Sequence, residues 1–165
     1  IAAYKAAALV RALKKARADV QVVMTDAARA FVTPLTFQAL SGRPVRHALL
    51  DPAEESGLDH IGLARWAELV LVAPATADFL ARLAAGLAGD LLSTLCLATT
   101  APIAVAPAMN HRMWLHAATQ SNIETLKSRG VTVVGPGVGA QACGETGPGR
   151  MSEPADILDV LIGAA

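Results

Sequence analysis

PIAVAPAMNHRMW, residues 102–114, is a short apolar strand that runs straight into a cluster of polar and thioether side chains. Ile103 to Ala106 holds no polar residue, as expected of a strand buried on both faces. Pro107 ends it, and Met109, Asn110, His111, Met113 and Trp114 follow at once. In an open α/β sheet, ligands sit outside the carboxyl ends of the strands. A buried strand that delivers an Asn and two Met residues to that edge is a candidate site. Taken alone, the same residues also read as a strand, a Pro-led turn and an amphipathic helix whose Met and Trp fill core.

On either side, the pattern alternates between strand and helix. Residues 1–17 are Ala-rich with basic residues late, a helical signature. VQVVMT (20–25) predicts a buried strand, with Asp26 capping a short helix to Phe31 or Val32. Pro34 starts another helix, closed by Gly42. VRHALL (45–50) reads as a short strand and DPAEESG (51–57) as a loop. His60 to Ala67 is helical, Leu69 to Ala73 a strand broken by Pro74, and ATADFLARLAAG a helix closed by Gly86. Asp90 to Thr99 adds a helix before the opening strand. Asn110 to Arg129 predicts the longest helix, stopped by Gly130, and Val131 to Val134 the last strand. Residues 135–154 hold six glycines and three prolines and read as a long loop, with a helix from Pro154 to about Ile162. Short strands alternating with helices predict one domain over 1–165, a mainly parallel sheet of four or five strands with helices on both faces. The first helix needs a strand in front of it, so the first strand is expected upstream of Ile1.

Composition narrows the function classes. The 165 residues carry 14 basic and 14 acidic side chains with no charged run, against nucleic acid or an anionic membrane as partner. Apolar types make up 53% and charged types 17%, so subunits or a cofactor are expected to cover surface. No segment reaches the ~20 apolar residues of a membrane span. Two cysteines make no disulfide framework, which fits a reducing, cytoplasmic setting.

Three segments carry candidate chemistry. His60 lies at a loop-to-helix boundary, where an imidazole can act as a base near neutral pH; His47 and His116 read as structural or solvated. Pro74-Ala75-Thr76-Ala77 is a turn of small residues that lets a flat ring or a phosphate approach the backbone, or else a helix capped by Thr76 or Asp78. Cys143 sits in ACGETGPGRMSEP with Glu145 and Arg150 nearby, the pattern of a lid with a reactive thiol. The histidines and cysteines form no metal-ligand spacing.

HIGLARWAELVLVAPATAD (60–78), PAMNHRMW (107–114) and ACGETGPGRMSEP (142–154), in that order, resemble the His motif and flavin turn, the PxMNxxMW motif and the substrate loop of the homo-oligomeric flavin-containing cysteine decarboxylases. DLLSTLCLAT (90–99) and AATQSN (117–122) are similar to the branch of that family that acts in coenzyme A biosynthesis. The resemblance implies a three-layer α/β/α, Rossmann- or flavodoxin-like sheet, FMN as cofactor, and a Gly-rich substrate lid at about 135–154. It implies decarboxylation of 4′-phosphopantothenoylcysteine to 4′-phosphopantetheine through a thioaldehyde and an enethiol, the flavin taking and returning a hydride. A peptidyl-cysteine decarboxylase, or a non-catalytic flavin-binding or electron-transfer module, is the alternative.

Residue by residue, the resemblance implies that His60 assists thiol oxidation, Asn110 holds the substrate carboxylate and Cys143 donates a proton to the enethiol. Thr25, Pro74, Ala75, Thr76, Ala77, Ser93, Ala108 and Met109 are the residues expected around FMN. Ala142, Gly144, Arg150, Met151 and Glu153 join Asn110 at the substrate, with Arg150 or Lys5 toward its phosphate. His111 falls at a variable motif position and carries no role. The expected partners are the small-molecule substrate, further copies in a trimer or dodecamer, and a fused or separate phosphopantothenate–cysteine ligase half.

Overall fold

The computed structural model describes residues 1–49 and 59–163, so the expected 51–57 loop lies outside the described residues. Helix α1 (Ala3–Lys15) leads to α2 (Asp26–Arg29), α3 (Pro34–Ser41) and α4 (Asp59–Trp66). Strand β1 (Val70–Ala75) is followed by α5 (Ala77–Ala85), α6 (Leu91–Ala98) and β2 (Ile103–Pro107). Then come α7 (His111–Leu115), α8 (Ala117–Ser128), β3 (Thr132–Val133), the hairpin strands β4 (Gly137–Ala140) and β5 (Thr146–Arg150), and α9 (Pro154–Gly163).

The three parallel strands lie in the order β1-β2-β3. Alternation along them feeds two cores. Val70, Val72 and Val105 face Phe79, Leu80 and Leu83 of α5 and Ile123 and Leu126 of α8. Leu71, Ala73 and Ala106 face the other way, toward Leu9 of α1 and Met151 and Ile157 around α9. Helices on both faces make the three-layer α/β/α arrangement. Within β2, Ala104, Val105 and Ala106 are 0% exposed.

Several local expectations are corrected. VQVVMT and VRHALL meet only at a single parallel bridge, Val23 with Arg46. Gln21 and Val23 of this pair and Val70 and Leu71 of β1 line a common groove with Trp66. With one neighbour instead of two, neither segment extends into a ladder. Thr25, not Asp26, caps α2, its hydroxyl accepting from Ala28 N–H. Pro74 does not end β1; the register shifts between Val72 and Ala75, and the strand runs on to pair Ala75 with Pro107. Proline is tolerated at such an irregularity because no ladder donor is needed there. The single helix expected over 110–129 is two, because His116 turns extended and its Nδ1 caps α8 at Ala118 N–H. Residues 137–150 are an antiparallel hairpin instead of a long loop.

One buried cation ties two helices of the same layer together. Lys5, 6% exposed, donates to the Met151 carbonyl at 3.0 Å and to Glu153 Oε1 at 2.7 Å, joining α1 to the start of α9. The hydrogen bond from Lys5, with Arg150 beside it, holds the Glu153 carboxyl below its ordinary 4.5. A depressed carboxyl contributes stability above its unfolded value and loses it as pH falls through the folded one. The melting-temperature gap between wild type and Lys5→Met is therefore expected to be full at pH 7 and to shrink from about pH 4.5 downward. Melting curves across that range check it, with Glu153→Gln expected to lose the same acid-labile part.

Candidate active site

Everything at the site starts from where β2 stops. Ala108 N–H donates to the Ala75 carbonyl at 3.0 Å, so the chain leaving β2 stays tied to the end of β1. One residue on, Met109 N–H donates to the Gly149 carbonyl at 2.9 Å and so pins the turn to β5. Asn110 is then the N-cap of α7, its Oδ1 accepting from Arg112 N–H at 2.9 Å. Using Oδ1 as the cap fixes which way round the amide sits. Its Nδ2 donor must face the hairpin, where it meets Glu145 Oε2 at 2.9 Å, Gln141 Oε1 at 3.4 Å and Cys143 Sγ at 3.4 Å.

The hairpin approaches through its glycines. A Cβ on Gly149, whose φ is +130°, would lie 2.3 Å from the Met109 carbonyl oxygen and 2.9 Å from Gln141 Nε2. A Cβ on Gly147 would lie 2.8 Å from His111 Cβ. Gln141 completes the seam. Its Nε2 donates to the Met109 and Pro148 carbonyls at 3.2 and 3.3 Å, and its Oε1 accepts from His111 N–H at 3.1 Å. Between β4 and β5, Ala142, Cys143 and Gly144 form an exposed tip closed by Gln141 N–H to the Glu145 carbonyl at 2.8 Å.

Charge is balanced within the cluster. The hydrogen bond from Asn110 first, then the Cys143 thiol and nearby Arg112 and His111, hold the Glu145 carboxyl below the ordinary carboxylate range. Arg112 reaches Glu145 Oε1 at 3.4 Å; His111 Nδ1 lies 3.4 Å from Oε2 without hydrogen-bond alignment. The other thiol differs in kind: burial first, then Asp90, pushes Cys96 up to about 12.

The remaining expected residues divide. Thr25 and Thr76 hydroxyls each accept from their own helix's first turn, at Ala28 and Phe79 N–H, so Thr76 serves as the cap of α5. Pro74 to Ala77 and Ala108 lie at the strand ends, as expected, while Met109 packs partly against the core of β1, β2 and α5. Ser93 does not face outward: it is 1% exposed and its hydroxyl is committed to a capping box with Asp90. Met151 is a core residue, Glu153 pairs with Lys5 and Arg150, and Lys5 itself is spent on Met151 and Glu153 rather than offered to an anion. His60 lies on α4, which packs against α6, and no hydrogen bond joins it to the Asn110 cluster among the described residues. Its Nδ1 is buried and has no hydrogen-bond partner among the described residues.

The family model "Flavoprotein" matches residues 1–165. The chain belongs to the flavoprotein family. The coenzyme A biosynthesis bifunctional protein CoaBC of Escherichia coli strain K12 is 59% identical over 98% of this chain, and that of Bacillus subtilis strain 168 is 47% identical over 96%. The chain spans about two fifths of the length of these relatives (40% and 39%). Among solved structures, a PPC decarboxylase mutant complexed with pantothenoylaminoethenethiol is 30% identical with a TM-score of 0.85, over 99% of this chain and 93% of that one. The FMN-dependent cysteine decarboxylase SpaF is 28% identical with a TM-score of 0.84, over 100% and 92%.

Sequence reasoning passed over two members of the Asn110 cluster. Gln141 precedes the motif by one residue, and Glu145 was only a neighbour of Cys143. The signal for both is the short tip, which brings 141 and 145 face to face around a thiol. Replacing Gly149 with Ala places a methyl against the Met109 carbonyl, so the hairpin must back away from Asn110. A displacement of about 1 Å at a reacting group costs on the order of 100-fold in turnover. Gly149→Ala is expected to show that loss together with faster hydrogen exchange at Met109 N–H.

Proposed function

We propose that this chain catalyses the FMN-dependent decarboxylation of 4′-phosphopantothenoylcysteine to 4′-phosphopantetheine, the carboxy-lyase step of coenzyme A biosynthesis. The observation that carries this reading is the meeting of a fixed amide donor, Asn110 Nδ2, and a thiol, Cys143 Sγ, 3.4 Å apart at the end of a buried parallel strand. A neutral amide and a thiol suit a substrate that must lose a carboxylate and gain a proton.

The strand-end edge fits FMN. Half-buried Ala77 and Ala108 are small enough to let a flat ring approach, while Ala75 lies beneath them in the core, and the Thr25 and Thr76 hydroxyls, used as acceptors by the backbone, have protons to give a phosphate. FMN, when bound, supplies a reversible two-electron acceptor, so decarboxylation is redox-neutral overall. Asn110 holds the substrate carboxylate through Nδ2 without adding a positive charge that would resist loss of CO₂. His60 takes the substrate thiol proton on its imidazole. Cys143 delivers a proton to the enethiol from the tip of the hairpin, which acts as the lid. Ala142 and Gly144 flank the substrate there, and exposed Arg150 is the candidate for its phosphate.

Among the described residues no hydrogen bond joins His60 to Asn110, so the working site is proposed to lie between copies, in a trimer or in a dodecamer built from four trimers. Exposed Met113, Leu115 and Val138, the last 75% exposed, supply apolar surface near the site for such contacts. A phosphopantothenate–cysteine ligase half, fused as in bifunctional relatives or separate, would supply the substrate. Two free cysteines fit a reaction of the reducing cytoplasm.

Mixing the purified protein with phosphopantothenoylcysteine is expected to bleach a flavin spectrum transiently and release CO₂; a Cys-terminated peptide serves as the comparison substrate. Cys143→Ser is expected to decarboxylate but accumulate the enethiol, seen by mass spectrometry as a product two hydrogens short of pantetheine phosphate. His60→Asn is expected to abolish flavin reduction altogether. Normal saturated product from the first variant, or flavin reduction by the second, would remove the role assigned to that residue.

A further inference from the structure

Asn110 is not idle in the ligand-free chain. The shortest bond from its Nδ2, 2.9 Å, goes to a carboxylate of the protein itself, Glu145 Oε2. The two partners stand on different supports. Asn110 is fixed by β2, by the Met109–Gly149 backbone bond and by its own cap on Arg112 N–H. Glu145 stands at the foot of the exposed tip, its side chain 40% exposed, with Arg112 as its cationic neighbour, the His111 ring beside it and the Cys143 thiol 3.6 Å from the same oxygen.

We propose that Glu145 is a built-in stand-in for the substrate carboxylate: it occupies the Asn110 amide between turnovers, yields it to a ligand that brings its own carboxylate, and reclaims it once that group has left as CO₂. This rests on the reading of Asn110 as the carboxylate clamp. Two carboxylates within hydrogen-bond reach of one amide repel each other, so an incoming one must displace Glu145. Displacement is cheap because Arg112 and His111 remain beside it and solvent reaches it. The stand-in keeps the amide donor and the thiol oriented and paired when no ligand is present. Its cost is affinity for the carboxylate-bearing ligand, which raises KM without entering the chemical step. Glu145 is thus a positioning residue acting through Asn110.

The test uses the flavin-loaded protein and two analogues that cannot be oxidised at sulfur: 4′-phosphopantothenoylserine and the same molecule without its carboxylate, 4′-phosphopantothenoyl-ethanolamine. Calorimetric titration of Glu145→Gln and Glu145→Ala is expected to show the serine analogue binding roughly tenfold tighter than to wild type, with the carboxylate-free analogue unchanged. Glu145→Gln keeps the shape of the side chain, and the bound-flavin spectrum reports that either variant is folded. Unchanged or weaker binding of the serine analogue overturns the stand-in. So does equal tightening of both analogues, which is what a merely loosened hairpin would give. Wild-type protein that binds neither analogue overturns instead the substrate reading on which the stand-in depends.

Discussion

The pairing of β2 with β1 is the constraint on which the rest of this molecule depends. Three successive residues of β2 have no exposed surface, so the strand has no freedom to slide or tilt without opening both cores. Its backbone bonds do not stop where the ladder stops. They pass to Ala75 through Ala108 and to Gly149 through Met109, so the position of Asn110 is inherited from the centre of the sheet within four residues. A site built this way is placed by the scaffold rather than by the loops around it.

The glycines of the hairpin follow from that placement. A turn held close to the sheet can be covered only by something that comes equally close, and side chains at 147 and 149 would stand in the way. The hairpin therefore docks by backbone, with Gln141 spending its amide on both sides of the seam. Glutamine suits this position because it has donors for two carbonyls and an acceptor for an N–H; glutamate would oppose two carbonyl oxygens with a third negative oxygen. The composition that gives close docking also leaves the tip, with Cys143, exposed.

Much of the fold was legible because its signals are local. Pro34 and Gly42 bound α3, Thr76 and Gly86 bound α5, and Asp90 with Ser93 caps α6, each through a nearby backbone group. The apolar runs at 70–73 and 103–106 need no context to be read as buried strands. The failures share the opposite property. Residues 137–150 look like loop because Gly and Pro disfavour strands in isolation, whereas here tertiary seating against His111 and Met109 selects them. His116 gives no standard breaking signal, yet its imidazole can replace a Ser or Asp as a cap. Lys5 and Met151 are far apart in sequence from what they touch, so motif membership could not tell packing from ligand contact. Asn110 was legible as a polar residue delivered to the end of β2; its internal partner Glu145 was not, since only the folded tip brings them together.

The charges around Asn110 suit the carboxylate-holding role proposed for its amide, a role that a cation would fill less well. Glu145 is already paired with Arg112 and hydrogen-bonded by the Asn110 amide, an uncharged donor. A lysine or arginine at 110 would bind a carboxylate more tightly, but the same attraction would have to be surrendered as the charge departs with CO₂. An amide gives direction with less to surrender. In the proposed cycle it would also tolerate, in turn, an internal carboxylate, a ligand carboxylate and neither, without a titration of its own. Rigid backing from β2 compensates for the weaker attraction, because a donor that is already aimed loses little entropy when it binds. The buried strand and the uncharged clamp are thus two halves of one solution.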